Sequence, residues 1–367
     1  MCATGQSSRH DKDIVNAENL PLAAFLHTLV SMKMNLLTIN NLSVEVGAKN
    51  ERVKAVRNVS FTLKEGEVLA IVGESGCGKS MLCKSLMGLL PKNGRITSGS
   101  IFFEDNDITK YTESQMKSLR RTAFSMIFQD PLTALDPTYT IGAQIAEAVR
   151  INDRKLGKKQ VQDRVVELME LVGIEDAVNR QRLYPYNFSG GMRQRSVMAI
   201  ALASNPRVLL ADEPTTALDV TIQAQILDLL RDIQKKLNTS TILVSHDLGV
   251  VARAADRVAI MYAGKIVEIG TAEDIFYDPR HPYTWGLMQS LPAFSRGKDR
   301  LYTIPGMPPS LINPPKGDAF AERSQYALAI DYEKEPPMFQ VSDTHYAATW
   351  LMDERAPHIP NPVKGIR

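Results

Sequence analysis

The chain has 367 residues, 44% of them apolar and 23% charged, with a formal net charge of +2. These are the proportions of an ordinary globular protein, with room for a catalytic domain and a smaller second unit. They exclude a disordered chain and a surface that wraps nucleic acid by bulk charge, so any polyanion must be held locally.

The three cysteines, Cys2, Cys77 and Cys83, are too few and too oddly spaced for a disulfide framework or a thiolate metal site, which fits a reducing, cytosolic compartment. No run reaches the roughly 18 apolar residues of a membrane-crossing helix. Leu20–Met32 is apolar for the length of a signal-peptide core, but acidic residues and a histidine surround it and no small-residue cleavage site follows. Residues 1–33 therefore read as an N-terminal extension, with Met32 or Met34 as the expected natural start.

From Leu36 to Val46 and from Ala55 to Leu63, apolar and polar residues alternate, predicting half-buried strands of an antiparallel layer. GEVLAIVG (66–73), VLLAD (208–212) and TILVSH (241–246) are instead nearly continuous apolar runs, as expected of central strands in a parallel sheet covered on both faces. GESGCGKS, residues 73–80, follows the first of these runs and precedes a helical pattern. It matches the phosphate-binding pattern G-x-x-x-x-G-K-[ST] in its required context. Gly73, Glu74, Ser75, Gly76, Cys77 and Gly78 form a loop whose N–H groups converge on phosphate oxygens, Lys79 reaches the β and γ phosphates, and Ser80 ligates Mg²⁺. A nucleotide carrying β and γ phosphates, with Mg²⁺, is the expected ligand.

Residues 140–183 carry helical spacing, with Val161, Val165, Leu168, Leu171 and Val172 on one side of one segment. They belong to a helical insertion over about 130–195. The stretch YNFSGGMRQRS follows, and its Ser-Gly-Gly turn before a helical run looks like a second phosphate loop. In RVLLADEP (207–214), an apolar strand ends in Asp212, whose carboxylate can hold the Mg²⁺ shell, while Glu213 can polarise an attacking water. Adjacent strand residues point to opposite sides, which separates the two roles. Beyond Gly270 the proline content rises, marking a loop-rich region over 271–351 and a tail over 352–367.

Taken together, the phosphate loop, Gln129 in MIFQDPLTALDP, FSGGM (188–192), TTALD (215–219) and His246 in LVSHD resemble the motif set of ABC transporter ATPase subunits, in the family's order, over about residues 34–351. The resemblance implies a P-loop NTPase fold of ABC type over 34–270, with a parallel RecA-like core, an antiparallel β subdomain and a helical subdomain. It implies that Gln129 senses Mg²⁺ and the γ-phosphate, that His246 bonds the γ-phosphate and attacking water, and that Asp219 communicates across a dimer interface. It also answers whose phosphate the second loop holds: Ser189, Gly190 and Gly191 close on the ATP of a partner subunit. Each residue alone has a plainer reading, with Asp219 a helix cap, Gln129 solvated and His246 ending a strand. One family feature is missing, since no aromatic residue lies near Asn50, where one commonly stacks on adenine.

IFQDPLTALDP and SGGMRQR, with HPYTWGLMQSLP (281–292), IPGMPPSL (304–311) and the 317–339 stretch, resemble the oligopeptide and dipeptide importer branch and its C-terminal extension. This implies uptake of oligopeptides, driven from the cytoplasmic face of the membrane. The implied partners are a second ATPase subunit, two permease subunits and an extracellular peptide-binding lipoprotein, and no nucleic acid. Met192 stands where the usual signature has Gln, which points to unequal sites and a different partner subunit. Many relatives bind an iron–sulfur cluster through four cysteines in the extension. The matching positions here are Asp318, Ser324, Asp331 and Thr349, so no cluster is expected. The alternatives are an importer ATPase for another cargo, such as dipeptides, nickel, glutathione or opines, and a soluble ABC ATPase of DNA repair or translation.

Overall fold

The alternating segments form two long antiparallel strands, β1 (Asn35–Ala48) and β2 (Glu51–Lys64), in which Leu37 faces Leu63 and Val44 faces Val56. Their inward side chains Leu37, Leu42, Val44, Val59 and Leu63 are buried, which is why the register holds through several bulges. The computed structural model describes residues 35–48, 51–216, 218–291 and 302–363. The extension expected over 1–33, with Leu20–Met32, and the position of Asn50 lie outside the described residues.

β3 (Val68–Val72) begins a second sheet and is buried at every residue. β4 (Gly94–Phe103) and the short β5 (Asn106–Asp107) return to the first sheet, whose order is β2-β1-β4-β5. β6 (Phe124–Ile127), β7 (Val208–Asp212), β8 (Ser240–Ser245) and β9 (Arg257–Tyr262) complete a parallel core with β3 in the order β9-β3-β8-β7-β6. β7 and β8 are likewise buried throughout, as a parallel sheet covered on both faces requires. Residues of β3 alternate between two cores. Leu69 and Ile71 pack with the antiparallel sheet and with Leu82 and Leu86 of the helix Lys79–Leu86. Ala70 and Val72 pack with Tyr262, Tyr283 and Phe320.

Between β6 and β7 lie the helices Pro131–Ala134, Ile141–Asn152, Lys158–Leu171, Ala177–Arg180 and Gly190–Leu202. Val161, Val165, Leu168 and Val172 are fully buried and Leu171 partly so, in a core that also takes Ile141, Ile145 and Met198. Thr140 caps the second of these helices by accepting from the backbone N–H of Ala143.

The segment beyond Gly270 does not form a layer of its own. β10 (Lys265–Thr271) pairs antiparallel with β9, and two short strands from the far end of the chain, β11 (Phe339–Gln340) and β12 (Tyr346–Ala347), extend the same sheet beyond it. Among the described residues, the rest of the extension is two short helices, Ala272–Tyr277 and Pro282–Gln289, followed by turns and short 3-10 segments. It is secured by an aromatic cluster in which Tyr262, Tyr283 and Phe320 meet with ring centroids 4.6–5.3 Å apart.

Candidate functional site

The buried strand β3 delivers the chain to Gly73, and the helix Lys79–Leu86 takes it away. At Gly73 an added Cβ would sit 2.0 Å from the carbonyl oxygen of Met261, and at Gly78 2.1 Å from that of Ala55, so neighbouring backbone leaves no room for a side chain. Gly78 also has φ of 109°, a left-handed conformation that favours glycine. The helix that follows has no side-chain cap and no acidic residue in its first turn. Its N–H groups and the positive end of its dipole thus face the loop, an arrangement suited to an anion.

Lys79 is 4% exposed and folds back over the loop, donating to the carbonyls of Gly73 at 2.7 Å and Glu74 at 3.0 Å. Ser80 Oγ donates to Asp212 Oδ1 at 2.9 Å. Burial pushes the Asp212 carboxyl above its ordinary range, against the lowering effect of the Ser80 bond. A buried carboxylate next to a hydroxyl is a pair of hard oxygen donors, the chemistry that suits a divalent cation such as Mg²⁺.

Strand alternation does not separate Asp212 from Glu213, as the sequence had suggested. β7 ends at Asp212, and Glu213 leaves it with φ of 48°. The left-handed turn re-aims the side chain, and the backbone N–H of Glu213 still bonds Val244 O at 3.1 Å. The Glu213 carboxylate accepts from Gln129 Nε2 at 3.0 Å and Thr216 Oγ1 at 2.9 Å, with His246 Nδ1 at 3.4 Å and Lys79 Nζ at 3.8 Å. Gln129 comes from just after β6, His246 from just after β8, and the loop from just after β3. The carboxyl ends of four parallel strands thus converge on one site, the edge where open α/β sheets bind ligands.

Ser189, Gly190, Gly191 and Asp219 form a second group. Ser189 caps the helix Gly190–Leu202 by accepting from Met192 N at 3.3 Å, and Asp219 caps the helix Val220–Leu237 by accepting from Ile222 N at 3.0 Å. The two helix starts touch, since an added Cβ on Gly191 would lie 2.9 Å from Ile222 Cγ2. Met192 packs partly into the helical core, and Arg180 Nη1 approaches its sulfur to 3.2 Å.

Two partners of the site escaped the sequence reading. Thr216 lies inside TTALD, where no sequence pattern distinguishes its hydroxyl from that of Thr215. Arg323 of the extension pairs with Glu74 across 249 positions, which no local pattern signals. A cavity of about 660 Å³, lined by Asn40, Thr62, Arg257, Lys265 and Glu335 among others, contains none of these site residues.

Residues 56–216 match the ABC transporter family, and residues 267–330 match the oligopeptide/dipeptide transporter C-terminal region. The dipeptide transport ATP-binding protein DppD of Lactococcus lactis is 54% identical over 88% of this chain and 93% of its own. The oligopeptide transport ATP-binding protein OppD of Bacillus subtilis is 55% identical over 89% of this chain and 92% of its own. The chain belongs to the ATP-binding proteins of the oligopeptide and dipeptide ABC transporters. It is an ABC ATPase, and ATP is its nucleotide. Among solved structures, the cassette MJ0796 in a dimeric post-hydrolysis state bound to ADP and Pi is similar with a TM-score of 0.58 at 25% identity, over 64% of this chain and 98% of that one. CbiO1 of Clostridium perfringens, part of the transporter complex cbiONQ, has a TM-score of 0.58 at 28% identity, over 66% of this chain and 90% of its own. Among the described residues, no helix is long and apolar enough to cross a membrane.

The four extension positions that many family members fill with cysteine do not suit an iron–sulfur cluster here. Each side chain accepts a bond from a nearby backbone N–H: Asp318 from Phe320, Ser324 from Tyr326, Asp331 from Leu328 and Thr349 from Leu351. These are hard oxygens already used to shape turns, whereas such a cluster takes thiolates.

Proposed function

We propose that this chain energises the uptake of oligopeptides, as one of two unequal ATPase subunits bound at the cytoplasmic face of the membrane to two permease subunits. An extracellular peptide-binding lipoprotein supplies the cargo. The observation that carries the motor part of this reading is the convergence of Gln129, Thr216, His246 and Lys79 on the Glu213 carboxylate, beside the Ser80–Asp212 pair. The transport part is supported by relatives over 50% identical along nearly the whole chain, whose names specify oligopeptide or dipeptide transport.

In this reading Gly73, Glu74, Ser75, Gly76, Cys77, Gly78 and Lys79 hold the phosphates, and Ser80, Asp212 and Gln129 hold Mg²⁺, which neutralises charge on the phosphates when bound. Glu213 accepts a proton from the attacking water, and His246 fixes that water and the γ-phosphate. Ser189, Gly190 and Gly191 close on the partner subunit's ATP, and Asp219 links the two sites. Met192 lacks the amide of the usual Gln, which supports two unequal sites and a heterodimer. To swing opening and closing from 1:99 to 99:1, ATP must favour the closed pair by about 5.5 kcal/mol. A site divided between two subunits supplies that difference because half its contacts exist only on closure.

A contact surface for the permease is supported by the helical segment. Leu132, Tyr139, Leu183, Tyr184 and Tyr186 are exposed, with the last two rings stacked at 5.5 Å. The two stretches adjoin, since Ile141 N donates to Leu183 O at 2.9 Å. Aromatic residues in a contiguous apolar patch suit a protein interface.

The test is purification of the intact complex from membranes through a tag on this chain, followed by ATPase assays with and without peptides. Permease co-purification with peptide-stimulated turnover is expected. Recovery with ribosomes or DNA and no permease overturns the transport reading, and stimulation by another cargo alone overturns the peptide assignment.

A further inference from the structure

Glu74 places a carboxylate at the first variable position of the phosphate loop. At an effective dielectric of about 20, a unit negative charge within about 10 Å of any phosphate weakens its binding by at least about tenfold. The side chain does not stand alone. Arg323 Nη1 donates to Glu74 Oε2 at 2.7 Å and Nη2 to Oε1 at 3.0 Å, a two-pronged pair that matches the planar fork of the guanidinium to the carboxylate.

Arg323 is itself rigidly held. Its side chain is 5% exposed, its Nε donates to Pro305 O at 2.8 Å, and Nη1 also reaches the Tyr262 hydroxyl at 3.2 Å. The rings of Tyr262 and Phe320 lie 5.7 and 5.8 Å from its guanidinium carbon. The backbone of Glu74 is gripped as well, since its N–H donates to the Tyr283 hydroxyl at 2.9 Å. Its carbonyl is one of the two on which Lys79 rests. The residue seized by the C-terminal part of the chain is thus the residue against which the phosphate-binding lysine is parked.

We infer that Arg323 is a positioning residue of the nucleotide site, which neutralises and orients Glu74 so that ATP binding and docking of the C-terminal extension favour each other. The inference rests on residues 73–80 being the phosphate loop. It gives the extension a part in nucleotide affinity in addition to its place at the sheet edge. By linkage, whatever loosens the extension weakens ATP binding, and ATP tightens the extension by the same factor.

The test is titration of the full-length chain with a fluorescent ATP analogue and Mg²⁺, on wild type, Arg323→Met, Glu74→Gln and the double variant. Arg323→Met is expected to bind about tenfold more weakly, because Glu74 is left uncompensated. Adding Glu74→Gln is expected to restore binding to within about threefold, a rescue that a merely structural arginine would not allow. Affinity of Arg323→Met within about twofold of wild type overturns the inference, as does a folded double variant no tighter than Arg323→Met.

Should Arg323→Met fail to fold, Glu74→Gln carries the test through limited proteolysis of the extension. ATP is expected to protect the extension in wild type and to lose that protection in Glu74→Gln, while equal protection in both overturns the inference. Lys79→Ala separates the two levels of the claim. Wild-type affinity in that variant removes the phosphate-loop reading itself, whereas lost affinity there alongside intact Arg323→Met refutes only the role of Arg323.

Discussion

The side-chain amide of Gln129 donates to Glu213 Oε2 at 3.0 Å across 84 positions of sequence, and the hydroxyl of Thr216 donates to the same oxygen at 2.9 Å. The carboxylate is therefore held from two sides while its other oxygen faces Lys79. The proposed role of this held carboxylate, at the end of a strand and beside a phosphate loop, is to take a proton from water.

Glu213→Gln preserves the shape of that side chain and removes its basicity. General-base catalysis contributes about 10²- to 10⁴-fold, so turnover should fall by at least about 10²-fold while ATP still binds. Steady-state ATPase rates together with nucleotide titration check both halves. Near-normal turnover in the assembled complex removes Glu213 as the base.

Gly76 and Gly78 both have positive φ, at 80° and 109°, yet they differ in surroundings. A Cβ on Gly76 meets nothing within 4 Å, whereas one on Gly78 lies 2.1 Å from a backbone oxygen. Gly76→Ala should cost only the left-handed conformation, about 1–2 kcal/mol. Gly78→Ala must move β2 or the loop, so it should lose ATP binding and unfold at a lower temperature than Gly76→Ala. Indistinguishable thermal shifts and affinities for the two variants would contradict this geometry.

The features legible in the sequence were those with a local cause. The buried runs at β3, β7 and β8 carry their environment in their composition, and the phosphate loop is a contiguous pattern with strict spacing. The aim of Glu213 was not legible, because a left-handed turn at a glutamate leaves no compositional mark. The place of the extension was hidden for a different reason. β11 and β12 are each two residues long, too short for any periodicity, and they join the sheet only through β10. The pairing of Arg323 with Glu74 depends on that tertiary arrangement.

Asp318 gives the extension a pH dependence. Burial raises its carboxyl to about 6, and the Phe320 N–H bond only partly offsets this. The unfolded value is about 3.9, so the folded chain binds the proton more tightly. The stabilisation is fully present below about pH 4 and is lost as pH rises through about 6. Asp318→Asn removes the titrating group. Wild type minus Asp318→Asn stability, measured by denaturant unfolding, should therefore decline across that window and stay flat above it. A difference that grows with pH over the same range has the wrong sign for this account.

Glu268 in β10 is fully buried, and its carboxyl group is met from several sides. The backbone N–H groups of Arg280 and His281 and the hydroxyl of Thr284 donate to it, and His345 Nε2 faces its Oε1 at 2.8 Å. His345, itself 2% exposed, immediately precedes β12, so the pair pins the end of the extension to the sheet. Removing one hydrogen-bond partner of a buried polar group costs about 1–3 kcal/mol, because that group gave up its hydration on burial. His345→Ala should lower unfolding stability by about that amount. His345→Gln, which keeps a donor within reach of Oε1, should lose less. Denaturant midpoints of the three proteins at pH 7 read this directly, and a His345→Ala chain within about 0.5 kcal/mol of wild type would show that the two backbone N–H groups and the Thr284 hydroxyl satisfy Glu268 without it.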